Sequence, residues 1–119
     1  MMHHVGIYVS DMKRSSEFYE TILPVLTKEK LIWEDKELLF LRGEGFQIEL
    51  IPSSTINSAG THIAFSVTSV TDQINALKQL GLTPTEGPYK LSNGWKTVFY
   101  DGPDGEEIEF IRTTESSMN

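Results

Sequence analysis

Two stretches of this chain run through the same order of patterns, and that repeat limits the folds open to it. Residues 4–9 (HVGIYV) alternate with the period of a strand, with Val5, Ile7 and Val9 on one face and His4, Gly6 and Tyr8 on the other. In SDMKRSSEFYETIL, Ser10 or Asp11 caps a helix whose apolar side carries Met12, Phe18, Tyr19 and Ile22, and Pro24 limits it. Strand-like segments follow at 27–33, 37–42 and 46–51, turning at Glu34-Asp35 and Gly43-Glu44-Gly45, and Pro52 to Gly60 reads as a polar loop. The order then restarts. THIAFSV at 61–67 alternates with Ile63, Phe65 and Val67 inward, and 69–81 is a helix with Val70, Ile74, Leu77 and Leu80 on its apolar side and Gly81 as its stop. Strands are expected near 83–86, 94–100 and 106–112, with strong turn chemistry in DGPDG at 101–105, and TTESSMN at 113–119 reads as a fraying tail. The chain thus reads β-α-β-β-β twice, with a period near 60 residues.

The repeat makes a demand on the polar residues. His4 and His62 each head the first strand of a half, and Glu49 and Glu109 each stand in the last strand of a half. Alternation puts all four away from the core: His62 lies with Ala64 and Ser66, Glu49 with Gln47, and Glu109 with Glu107. If helices cover one face of each sheet, the four side chains point to the other face. Two neutral imidazoles and two carboxylates suit Zn, Ni, Co, Fe or Mn, and leave coordination positions open for water or substrate. Any one of these residues alone is more often a surface or hydrogen-bonded group; the matched placement gives the set its weight.

Composition narrows the rest. A chain of 119 residues with 39% hydrophobic and 23% charged residues is one ordinary domain with a hydrophobic core. With no cysteine, disulfide frameworks, zinc fingers and thiolate nucleophiles are excluded. The net charge of −7 and the scattered lysines and arginines argue against nucleic acid. No apolar run reaches the ~18 residues of a membrane span. The N-terminus lacks the layout of a signal peptide, so the cytoplasm is the expected location. No P-loop or dinucleotide fingerprint follows a strand.

HVGIYVSDMKRSSEFY, IELI, THIAFSV and DGPDGEEIEFI together resemble the vicinal oxygen chelate superfamily: glyoxalase I, methylmalonyl-CoA epimerase, extradiol dioxygenases, and the bleomycin- and fosfomycin-resistance proteins. The resemblance covers nearly the whole chain. It implies an α+β fold of two tandem βαβββ modules, about 1–52 and 61–112 of a single domain 1–119, whose curled sheet encloses a metal-binding cleft. It places the family's metal ligands on His4, Glu49, His62 and Glu109, with a divalent ion as cofactor. A full His/Glu/His/Glu set resembles glyoxalase I or the epimerase, which move a proton on carbon next to a metal-bound oxygen. Glu109 is then the favoured base and Glu49 a second one. The fosfomycin enzymes and dioxygenases resemble a two-His, one-Glu pattern instead. Tyr8, Trp33, Phe46, Trp95, Lys96 and Tyr100 are the candidate substrate contacts. Where bacterial glyoxalase I grips glutathione with Arg and Asn, this chain has Tyr8 and Ser53. The expected function is a metal-dependent lyase or isomerase acting on a small hydroxy- or oxo-substrate, a thiol adduct or thioester among them, in a homodimer. The alternatives are a drug-sequestering protein of bleomycin-resistance type and an Fe(II) extradiol dioxygenase.

Overall fold

The computed structural model describes residues 2–54 and 61–113, leaving the side chain of Trp33 outside the described set. Most of the expected loop at 52–60 and of the tail therefore lies outside the described residues. The chain divides into two compact units, residues 1–58 and 59–119.

The first unit contains β1 (Val5–Val9), α1 (Met12–Ile22), β2 (Thr27–Trp33), β3 (Lys36–Gly43) and β4 (Phe46–Pro52). Its sheet runs β1-β4-β3-β2, with β1 parallel to β4 and the other pairs antiparallel. The parallel pair arises because α1 carries the chain across one face of the sheet before it returns. The Asp11 carboxylate accepts the Arg14 amide at 3.0 Å and so caps α1, which packs on β4 through buried Tyr19 and Ile22. On the sheet, Ile7, Val9, Leu41, Ile48 and Leu50 are almost wholly buried on that side. Each contributes about 1.5–3 kcal/mol of burial.

The second unit repeats the plan with β5 (His62–Ser66), α2 (Val70–Gln79), β6 (Glu86–Lys90), β7 (Lys96–Asp101) and β8 (Glu107–Arg112), in the order β5-β8-β7-β6. Ser69 caps α2 by accepting the Asp72 amide at 3.1 Å. Ile63, Val70, Leu77, Val98, Tyr100, Ile108 and Phe110 form the core. The fold is α+β, two tandem βαβββ modules each with a four-stranded sheet, as the repeat requires.

The elements depart from expectation in three places. The strand expected near 83–86 forms at Glu86–Lys90, where Gly87-Pro88 interrupts the alternation and the pairing with β7 shifts between Glu86 and Tyr89. β7 begins at Lys96 rather than 94, because Gly94 takes φ +91° in a turn whose amide bonds to Leu91. Leu80 lies beyond the end of α2 and is 51% exposed. The loop from Asp101 to Glu106 is tightly built. Glu106 is fully buried, its carboxylate accepts the Asp104 amide at 2.8 Å, and its carbonyl accepts the Gly102 amide at 2.7 Å. A Cβ on Gly102 would lie 2.3 Å from the Glu106 carboxyl carbon.

Candidate functional site

In the first unit the register pairs Gly6 with Glu49 and Phe40 with Glu49, so these residues share the face turned away from α1. His4 stands one residue before β1 on the same parity. Its Nε2 lies 3.3 Å from Glu49 Oε1, and its ring meets Phe40 edge-on at 5.2 Å. A Cβ on Gly6 would lie 3.5 Å from Glu49 Oε1 and 3.2 Å from Ile51 Cδ1, so glycine leaves the flank of the carboxylate open.

The second unit builds the same pair. Ala64 and Phe99 are the register partners of Glu109. His62 Nε2 lies 2.6 Å from Glu109 Oε1, and the His62 ring is tilted against Phe99 at 6.0 Å. Here the carboxylate has a second anchor, because the Thr97 hydroxyl donates to Oε2. In both pairs the carboxylate is the more sheltered member: the His4 and His62 side chains are 35% and 46% exposed, those of Glu49 and Glu109 16% and 11%. A carboxylate fixed at the sheet with a reachable imidazole beside it brings an oxygen and a nitrogen ligand type to one place.

Phe40, Phe99 and Thr97 were missed by sequence reading. Their signal is positional: in ELLFLR and KTVFYD, each phenylalanine holds the place opposite a site glutamate, and Thr97 lies two residues before Phe99.

The candidate substrate contacts scatter. Tyr8 is 59% exposed and lies on the Glu49 face, opposite Ile51. Phe46 lies opposite Gly43, in step with Ile48 and Leu50, on the α1 side. Lys96 and Tyr100 pair with Arg112 and Ile108, on the face of Val98 and Phe110 and opposite to Glu109. Tyr100 packs edge-on against Phe110 at 5.9 Å, and burial raises its phenol pKa above the usual 10.0. Although close to Phe99 along β7, Lys96 and Tyr100 face away from Glu109, because alternation sends strand neighbours to opposite faces. Trp95 precedes β7, with its indole N–H buried and without a partner among the described residues. The Trp33 side chain lies outside the described set.

Neutral imidazole, carboxylate and no thiolate suit a divalent ion of the N/O-binding kind, and the open flank at Gly6 suits a ligand atom beside Glu49. Each unit by itself supplies two such donors, and among the described residues no three His, Asp or Glu gather as a metal group. A structural zinc site takes four protein ligands and a catalytic one three, so a single pair does not complete either.

Tandem βαβββ modules, each setting a histidine against a glutamate on the face away from its helix, define a class of paired-module proteins. Residues 1–110 match the family model described as Glyoxalase/Bleomycin resistance protein/Dioxygenase superfamily, and the chain belongs to that superfamily. Among its relatives is the uncharacterized protein YwbC of Bacillus subtilis, 32% identical over 119 residues, with 92% of this chain and 94% of the relative covered. The metallothiol transferase FosB of Lysinibacillus sphaericus is 26% identical over 116 residues, covering 92% of this chain and 79% of the relative. Among solved structures, the genomically encoded fosfomycin resistance protein FosX from Listeria monocytogenes superposes with a TM-score of 0.77 at 17% identity, covering 99% and 95% of the two chains. Virulence protein STM3117 from Salmonella typhimurium gives 0.73 at 21%, covering 96% and 97%. These structural likenesses concern the fold.

Proposed function

We propose that this protein is a divalent-metal-dependent lyase or isomerase of glyoxalase type, moving a proton on the carbon beside an oxygen of a small hydroxy- or oxo-substrate. The observation that carries this is the matched pair: His4 with Glu49 at 3.3 Å, and His62 with Glu109 at 2.6 Å, at equivalent places in both units. The four residues would supply two imidazoles and two carboxylates as donors toward a divalent ion. A bound divalent ion supplies Lewis acidity toward a substrate oxygen. The two glutamates divide the remaining work. Glu109, tied at both oxygens by His62 and Thr97, is the fixed member. Glu49, with His4 on one oxygen and open space beside Gly6, is the carboxylate with freedom to take a proton and return it. This reverses the order of bases that resemblance alone favours.

A second reading, transfer of a thiol, is supported by the 26% identity to a protein named metallothiol transferase. It differs in requiring two substrates. No helix among the described residues is long and apolar enough to cross a membrane.

The test is elemental analysis of untagged protein beside His62→Ala and Glu109→Ala variants. About one divalent ion per site, lost in both variants, is expected. Hemithioacetals and acyl thioesters are then screened in D2O. Deuterium appearing at carbon supports proton transfer, and consumption of free thiol supports the second reading. Protein that takes up no Ni, Zn, Co, Mn or Fe(II) overturns both and leaves a small-molecule binder of bleomycin-resistance type.

A further inference from the structure

Arg42 stands on the face of the first unit that carries His4 and Glu49, opposite Gln47 of β4 and two residues along β3 from Phe40. Three contacts fix its guanidinium. Nε donates to Gln47 Oε1 at 2.7 Å, Nη1 donates to Glu29 Oε1 at 2.8 Å, and Cζ lies 5.0 Å from the centroid of the Phe40 ring. Gln47 is itself held, donating from Nε2 to the His3 carbonyl at 2.9 Å. Nη2 donates to no group among the described residues. The same Phe40 ring meets His4 edge-on at 5.2 Å. Imidazole and guanidinium thus flank one aromatic ring, two strands apart across β4, a spacing of roughly 10 Å.

The second unit puts an acid at this place. Asp101, opposite Glu107, holds the register position that Arg42 holds opposite Gln47. The repeat therefore keeps the His–Glu pair and its phenylalanine in both units but reverses the charge beside them.

Building on the reading of His4 and Glu49 as the place of the reacting oxygen, we propose that Arg42 is a specificity-determining residue that takes the carboxylate of a short-chain oxo- or hydroxy-acid substrate. A guanidinium offers planar N–H donors that match a carboxylate, and Nη2 is the donor left for it. Gln47 holds the plane in advance, so less freedom is lost when the ligand arrives. Glu29 is the counter-ion in the free protein. Its side chain is 51% exposed, and an ion pair that open to water holds weakly, so it gives way to a substrate carboxylate. Because the Phe40 ring occupies the ground between His4 and Arg42, a ligand touching both must bridge it.

The test titrates the full chain with 4-oxopentanoate and with neutral pentan-2-one, with and without Co(II). Affinity is measured together with the Arg42 Nε–H resonance, for wild type, Arg42→Gln, Lys36→Gln and Glu29→Gln. Wild type is expected to bind the acid about tenfold more tightly than the ketone, with the Arg42 resonance moving only for the acid. Arg42→Gln is expected to lose the preference. Lys36→Gln, which removes an exposed charge from the same face of β3, is expected to keep it. Glu29→Gln is expected to bind the acid more tightly than wild type, and it decides the matter if Arg42→Gln fails to fold. Equal affinity for acid and ketone in wild type, or a preference that survives in Arg42→Gln, overturns the anchor. Failure to take up Co(II) sinks the metal reading alone. The metal-free titration then decides: an Arg42 resonance moved by the acid upholds the anchor, and one unmoved in both wild type and Glu29→Gln overturns it.

Discussion

Thr97 gives the two site carboxylates different characters. Its hydroxyl holds Glu109, while the position two residues before Phe40 is Leu38, which offers Glu49 no such bond. Thr97→Val keeps the volume and removes the donor from a sheltered carboxylate. It is expected to cost about 1.5–3 kcal/mol in urea unfolding and to weaken Co(II) binding, whereas Leu38→Val is expected to leave Co(II) binding unchanged. Tyr100 carries the opposite lesson. Its hydroxyl is buried without a partner among the described residues, so Tyr100→Phe is expected to stabilise the protein by up to about 1 kcal/mol in thermal melts near neutral pH. Because burial raises the Tyr100 pKa, the unfolded chain ionises first as pH rises. The stability associated with the neutral phenol is complete below about pH 10 and is lost as pH climbs through the raised folded value. The advantage of Tyr100→Phe over wild type therefore grows above pH 10.

At the scale of elements, the two helices depend on their caps. Asp11→Ala and Ser69→Ala each remove a side-chain acceptor from a first-turn amide and are expected to cost about 1 kcal/mol in urea unfolding. The Asp11 cap was readable in the sequence as one of two candidates, as were the helices and the parity of the outer strands, because each rests on local spacing; the Ser69 cap was not singled out. Parity also told that His62 and Glu109 share a face. What was not readable depends on pairing. Phe46, in step with Ile48 and Leu50, and Lys96 and Tyr100, in step with Val98, face away from the glutamates by alternation; pairing is needed only to show which residues stand opposite Glu49 and Glu109. The shift of β6 to Glu86–Lys90 arises from a backbone irregularity at Gly87-Pro88 that alternation does not encode. Thr97 was invisible because nothing local marks a threonine as the neighbour of a glutamate twelve residues on.

For the whole molecule, a divalent ion held at the His–Glu pairs would bind the folded state alone and stabilise it by mass action. At a hundredfold excess over Kd the gain is about 2.7 kcal/mol, so Co(II) or Ni(II) is expected to raise the melting temperature by several degrees and a chelator to reverse the shift. His4→Ala and His62→Ala are each expected to weaken the response. The acidic surface, with net charge −7, favours uptake of cations, and this response should weaken with added salt. A last consequence follows from the loop in which Glu106 folds back beneath Gly102 and caps the Asp104 amide. That loop sets how many residues separate β7 from β8, and the count has an odd–even meaning. Deleting or inserting one residue there would bring Phe110 or Ile108 to the place of Glu109, exchanging a donor for a hydrocarbon while leaving a perfectly good sheet. A slip of two brings Ile111 to that place in one direction and a carboxylate, Glu107, only in the other, so the register that this outwardly ordinary surface loop helps to set is among the least editable features of the chain.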